Sequence, residues 1–183
     1  MSKYIIALVG MPGSGKSQAA LFFQNKNIPT IRFGDLTDET LKEKNLPTTP
    51  ENEKIVREQL RKELGMAAYA VFAKPKIEEA SKTNEIVILD GLYSWEEYTF
   101  LKKYLPNLLL LHIFTSPKDR YDRLAVRKIR PLTPQQASQR DIFEIENLNK
   151  AGPIAMANYV ILNETTVEDL YQKLEEFLTK IQI

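Results

Sequence analysis

The 183-residue chain has no cysteine and a single histidine, His112. The first absence excludes disulfides, thiolate zinc sites and a cysteine nucleophile, and removes any signal for an oxidising compartment. Net charge is nearly missing too. The 25 Lys and Arg stand against 24 Asp and Glu, a formal +1, so no global field draws the protein to nucleic acid or membrane. Long apolar runs are also lacking. The richest, residues 108–111 with Ile113 and Phe114, falls far short of the roughly 20 residues of a bilayer span. The opening apolar run, residues 4–9, is too brief for an export signal. No repeat, low-complexity tract or Gly/Ser linker divides the chain. The expectation is one cytoplasmic domain over residues 1–183, monomeric or a small homo-oligomer, large enough for a real core.

What is present is an alternation. Strand-type runs at residues 4–9, 30–33, 85–89, 108–114 and 159–162 are separated by helical patterns. Most are continuously apolar, as strands covered on both faces are, which predicts an α/β fold with a five-stranded parallel sheet and helices on both sides. Ser94 with Glu97 and Thr165 with Glu168 have capping-box spacing, and Thr49-Pro50, Ser116-Pro117 and Thr133-Pro134 place a cap before an N1 proline. The last helix carries Val167, Leu170, Tyr171, Leu174, Phe177, Leu178 and Ile181 on one stripe, an ordinary docking face. Two long stretches without strand character, about 36–83 and about 128–157, are read as helical insertions.

The run Gly10-Met11-Pro12-Gly13-Ser14-Gly15-Lys16-Ser17 fits G-x-x-x-x-G-K-[ST] between a buried strand and a helix. Glycines there let successive N–H groups face phosphate oxygens, and the helix N-terminus adds its dipole. Lys16 is placed for the β and γ phosphates and Ser17 for Mg²⁺. The third strand ends at Asp90-Gly91, at the sheet edge where open α/β folds bind ligands, so Asp90 is a candidate for the metal or its water. Gly34-Asp35 ends the second strand in the same way. Asp35 is a candidate for orienting the acceptor or the metal's waters, and equally for capping a helix that begins at Leu36.

After Ser116-Pro117, Arg120, Arg123, Arg127 and Arg130 fall on one face if the helix lasts that far, and Arg140 follows in the second insertion. Phosphoryl transfer needs positive charge gathered around the γ-phosphate and water kept out, which arginines beside a closing segment provide. His112, inside a strand, and Trp95 are read as packing residues. Tyr93 is a candidate for lining an acceptor pocket, and Arg61, among Arg57, Arg61 and Lys62, for binding its phosphate.

On these residues the sequence resembles the nucleoside monophosphate kinases, with adenylate kinase and dephospho-CoA kinase as the nearest named relatives. It is most similar to short adenylate-kinase-related proteins, through the stretches at residues 61–65 and 157–164. The resemblance implies strand order 2-3-1-4-5, an acceptor-binding segment at about 36–83, a short lid at about 128–157, and ATP with Mg²⁺ as donor. It also implies roles: Lys16 and the loop on the donor phosphates, Ser17 and Asp90 on the metal, Gly34, Asp35, Arg61, Gly91 and Tyr93 toward the acceptor, and Arg123, Arg127 and Arg140 in the lid. Related sequences carry an arginine shortly after Asp-Gly, where this chain has Leu92-Tyr93-Ser94. The expected activity is transfer of the γ-phosphate to a nucleoside monophosphate or related nucleotide. The alternatives are dephospho-CoA kinase, in which Asp35 serves as base, and a regulatory, ATP-binding protein without kinase activity.

Overall fold

A computed structural model describes residues 3–182. Five strands form one parallel sheet: β1 (Tyr4–Val9), β2 (Thr30–Arg32), β3 (Ile86–Asp90), β4 (Leu108–Phe114) and β5 (Tyr159–Leu162). Their spatial order is β2-β3-β1-β4-β5, so β1 lies at the centre and delivers the loop after it to the sheet's carboxyl edge.

Side chains alternate across the sheet, and both faces are apolar because both are covered. Ile5, Ala7 and Val9 join Val87, Leu89, Leu108 and Leu110 on one face. That face is covered by helices α2 (Asp35–Glu43), α3 (Pro50–Leu64), α4 (Ala68–Ala80), α5 (Trp95–Tyr104) and α8 (Ala151–Ala155). Ile6, Leu8, Ile88, Leu111 and Ile113 face the other way, against Ala19 and Phe23 of α1 (Lys16–Asn25) and Leu170, Leu174 and Phe177 of α9 (Val167–Gln182). The stripe read on the last helix is therefore a docking face, with Val167 at its exposed start. Two further helices, α6 (Pro117–Ala125) and α7 (Pro134–Leu148), stand beside the carboxyl edge. Among the described residues no helix is long and apolar enough to cross a membrane.

The caps that could be read are made. Ser94 and Glu97 form a reciprocal capping box, and Thr49, Ser116 and Thr133 accept bonds from Asn52, Asp119 and Gln136 ahead of their N1 prolines. Three boundaries move. The α9 cap is Thr166, whose hydroxyl accepts from the Asp169 amide, and not Thr165. β2 stops at Arg32, short of Gly34, whereas β3 ends at Asp90 as read, paired with Leu8 and Arg32. The four-arginine helix face is not formed, because α6 ends at Ala125. Pro131 disfavours helical backbone at Arg130, which takes the left-handed φ of 56°. Only Arg120 and Arg123 lie on α6.

Candidate active site

The loop between β1 and α1 is held open by its surroundings. Gly10 has φ +146° and Gly15 φ +101°; a Cβ would lie 2.5 Å from the Ile113 carbonyl in one case and 2.2 Å from Asn163 Nδ2 in the other. Only glycine fits both the angle and the space. The loop's carbonyls are drawn to the protein side: Arg120 Nη1 donates to Pro12 O at 3.1 Å and Asn163 Nδ2 to Ser14 O at 2.8 Å, and Thr115 Oγ1 lies 3.1 Å from Ser14 O. Ser14 Oγ is buried with no partner among the described residues, a polar atom in the cradle that bound phosphate or water can satisfy.

Lys16 opens α1 and folds back, donating to Gly10 O at 2.8 Å and Met11 O at 3.0 Å. Burial lowers its pKa to about 7, Lys150 and Arg140 push the same way, and Glu144 and Asp90 oppose them. The loop is thus short of negative charge, which is the condition a triphosphate relieves. Ser17 is exposed beside it. Asp90 is raised by burial and pulled back by Lys16 and Arg32. No group of three or more His, Asp and Glu side chains forms a metal cage among the described residues. A divalent ion here would rest on Ser17, Asp90 and phosphate oxygens, a set that suits Mg²⁺.

Two cavities meet at this point. The smaller, about 280 Å³, is lined by Gly13, Gly15, Lys16, Ser17, Gln18, Arg123, Leu124 and Arg127. The larger, about 900 Å³, lies between the first insertion and α7; its walls include Gly34, Arg61, Tyr69, Asp90, Tyr93 and Arg140. Arg127 lines both. The cationic walls of the larger cavity are mostly neutralised: Arg32 pairs with Asp38 at 2.5 Å, Arg57 and Arg130 with Glu53 at 3.1 and 2.6 Å, Lys54 with Glu58 at 3.9 Å and Arg140 with Glu144 at 2.9 Å. Two are not. Among the described residues Arg61, stacked on Tyr69 at 5.1 Å, and Arg127, which donates to Arg130 O, have no carboxylate partner. Burial and the nearby Arg140 and Arg130 push the Arg127 pKa down, as expected for a cation that lacks its anion.

The candidates therefore separate. Lys16, Ser17, Asp90, Gly34, Arg61, Tyr93, Arg127 and Arg140 come together around the two cavities. Gly91 is buried against Phe33 behind the wall. Asp35 is displaced from the role read for it. α2 begins at Asp35 itself, with Gly34 in the cap position, so its carboxylate turns to Arg32 at 3.2 Å and does not line the cavity. Arg123 lines the donor side, but its guanidinium donates to Thr115 Oγ1 at 3.2 Å and Asn163 O at 2.8 Å, bracing the loop's support rather than a lid. Arg120 is 4% exposed and forms a two-bond pair with Asp141, at 3.0 and 2.7 Å.

His112 is half-buried in β4, edge-on to Phe114 at 5.8 Å, and burial followed by Lys16 lowers its pKa. The residues that went unread are Glu53, Glu144 and Lys150. Each is a charged residue on a helix or its end, with nothing local to mark it as buried.

The sequence profile of the family described as AAA domain matches residues 6–146. The UPF0200 protein of Thermococcus sibiricus is 35% identical over 98% of this chain and 96% of its own. Among solved structures, TT1252 from Thermus thermophilus superposes with a TM-score of 0.65 at 18% identity, covering 98% of each chain. Shikimate kinase from Bacteroides thetaiotaomicron does so at 0.59 and 17% identity, covering 96% of this chain and 98% of its own. The chain belongs to the UPF0200 family of AAA domain proteins and has the fold of the P-loop kinases.

Proposed function

We propose that this chain is a Mg-ATP-dependent phosphotransferase that moves the γ-phosphate to a nucleoside monophosphate or a closely related nucleotide. The observation that carries the reading is Arg127, which lines the loop-side cavity and the larger one at once and, among the described residues, has no carboxylate partner. A group so placed meets the transferring phosphoryl from donor and acceptor alike, where positive charge does most of the work.

The loop amides and Lys16 hold the donor phosphates, with Ser17 and Asp90 toward the metal. Bound Mg²⁺ supplies neutralisation of the charge that builds on the phosphate oxygens. The first insertion receives the acceptor and the segment from Arg127 to α8 covers it. Arg61 likewise lines the larger cavity with no carboxylate partner among the described residues, and an acceptor that brings a phosphate provides an anion. A cavity of about 900 Å³ is of the size that encloses small ligands. An anionic acceptor oxygen needs no general base. Dephospho-CoA, whose acceptor is a hydroxyl, would need one, and the residue read for that task, Asp35, is engaged by Arg32 outside the cavity. This favours the monophosphate.

The test is ADP formation from Mg-ATP across a panel of nucleoside monophosphates and dephospho-CoA, with Lys16→Ala as control. Stimulation by a monophosphate, abolished in the control, is the expected result. If no acceptor raises turnover above the slow background, the phosphotransfer reading is wrong and that of an ATP-binding regulatory protein gains.

A further inference from the structure

Lys150 follows the left-handed cap Asn149 at the end of α7 and is 2% exposed. Its ammonium is ion-paired with Glu144, whose other oxygen accepts from Arg140 Nε at 2.9 Å. It also lies 4.6 Å from the centre of the Tyr93 ring. Tyr93, Glu144 and Arg140 all line the larger cavity, whereas Lys150 stands behind them. Lys16 therefore feels the cations Lys150 and Arg140 against the carboxylates of Glu144 and Asp90, and Lys150 itself also feels Asp141 and Glu97.

α7 also has other anchors. The helix is already fixed by Asp141 on Arg120 and by Asn149 Nδ2 on Glu96 Oε1 at 2.8 Å. A buried ion pair is in any case a poor anchor, because apolar side chains of similar volume stabilise as well or better. What such a pair does supply is fixed direction. A lysine between a carboxylate and an aromatic face holds both in one orientation, and its charge, in a low-dielectric wall, reaches into the cavity.

We propose that Lys150 is a positioning residue for the acceptor: from behind the wall it orients Tyr93 and Glu144, and through Glu144 Arg140, and adds the positive charge that a phosphate-bearing acceptor meets there. This rests on the phosphotransfer reading for the identity of the acceptor.

The experiment measures, by calorimetry, the binding of adenosine monophosphate and of the Mg complex of a non-hydrolysable ATP analogue to wild type, Lys150→Met and Lys150→Arg, alongside steady-state transfer. Loss of an outer partner that orients a metal ligand costs about 10- to 100-fold, and the same order is expected for one that orients Tyr93 and Glu144. Lys150→Met is therefore expected to weaken the monophosphate by that factor and to raise its KM, with the ATP analogue held within about threefold. Lys150→Arg, which keeps the charge, is expected to recover most of the loss.

The inference is overturned if Lys150→Met binds the monophosphate as wild type does, if it loses both ligands in equal proportion, if Lys150→Arg is no better, or if wild type does not bind the monophosphate at all. Should Lys150→Met not fold, Lys150→Gln, which can still donate to Glu144, is read by the same split. A wild-type protein that binds the monophosphate but transfers nothing to it sinks the phosphotransfer reading alone.

Discussion

Arg130 donates two hydrogen bonds to the carboxylate of Glu53, Nη1 to Oε2 at 2.9 Å and Nη2 to Oε1 at 2.6 Å, across 77 positions of sequence. The pair ties the connection between α6 and α7 to α3, and both residues line the larger cavity. Arg130 is bent into place by the φ of 56° that precedes Pro131. Glu53 also holds Arg57 at 3.1 Å, so one nearly buried carboxylate organises two walls.

The Arg130 hydrogen bonds, ahead of opposing burial and the smaller help of Arg57, hold the Glu53 carboxyl below the usual glutamate range. For a carboxylate depressed in the folded state, the stabilisation is complete above the unfolded value of about 4.3 and is lost as pH falls through the lower folded value. The clasp is therefore closed throughout the neutral range. Arg130 is 43% exposed, and a pair of that exposure contributes at most about 1 kcal/mol. Arg130→Ala is expected to lower Tm by no more than about 2–4 °C. It should raise the acceptor KM up to about fivefold with the affinity for Mg-ATP nearly unchanged; melting curves and initial rates check both.

Arg127 is expected to matter far more than its exposure indicates. Removing one well-placed stabiliser of transition-state charge costs about 10² to 10³ in rate. Arg127→Ala should show that loss in kcat, while Lys82→Ala, which removes a surface lysine paired only with Glu79, should be indistinguishable from wild type. Equal activity of the two variants in the acceptor assay would remove Arg127 from the mechanism.

How far the site could be read from sequence follows from how local its chemistry is. The loop is eight consecutive residues, and Asp90 stands at a strand end that composition alone marks, so both were legible. Arg120, Arg123 and Arg127 share one spacing and have three different fates. Arg120 goes to a buried partner on α7, Arg123 to the loop's support, and Arg127 to the cavities because α6 ends at Ala125, before reaching it. Periodicity cannot separate them, since the partner of Arg120 is 21 positions away. Glu53, Glu144 and Lys150 read as surface charges on helices, and only tertiary pairing buries them. Asp35 failed for a smaller reason: a helix that starts one residue early turns a cap into a side chain of the first turn.

The pair of Arg120 and Asp141 should behave as a structural unit. Both are buried, Tyr121 Oη adds a third bond to Asp141 at 3.0 Å, and Arg120 also supports the loop through Pro12 O. Asp141→Ala leaves a buried guanidinium uncompensated, which costs about 3–5 kcal/mol. Chemical denaturation should show the midpoint falling accordingly with the m-value unchanged. A loss under about 1 kcal/mol would mean that water replaces the carboxylate and that the pair does not hold α7.

Glu97 offers a test of the fold by pH. It is 0% exposed, and one oxygen accepts from the Tyr93 and Ser94 amides at 2.6 and 3.1 Å while the other has no partner. Burial, only partly offset by those bonds and by Arg61, pushes its carboxyl up to about 7. A carboxyl raised in the folded state contributes stability that is complete below the unfolded value of about 4.3 and is lost as pH rises through the folded value. Between pH 5 and 8 this group therefore works against the folded protein, increasingly so as the pH climbs. Glu97→Gln keeps an acceptor for the cap and removes the titration. It is expected to melt above wild type at pH 8, by about 2–4 °C for each kcal/mol recovered, with a smaller gap at pH 5 that closes only near the unfolded value of about 4.3. Glu97→Ala discards the cap as well, at about 1 kcal/mol, and should melt below Glu97→Gln at both pH values. If the gap between Glu97→Gln and wild type does not widen with pH, the carboxyl is charged in the fold throughout, and the apolar surroundings of the capping box are not what controls it.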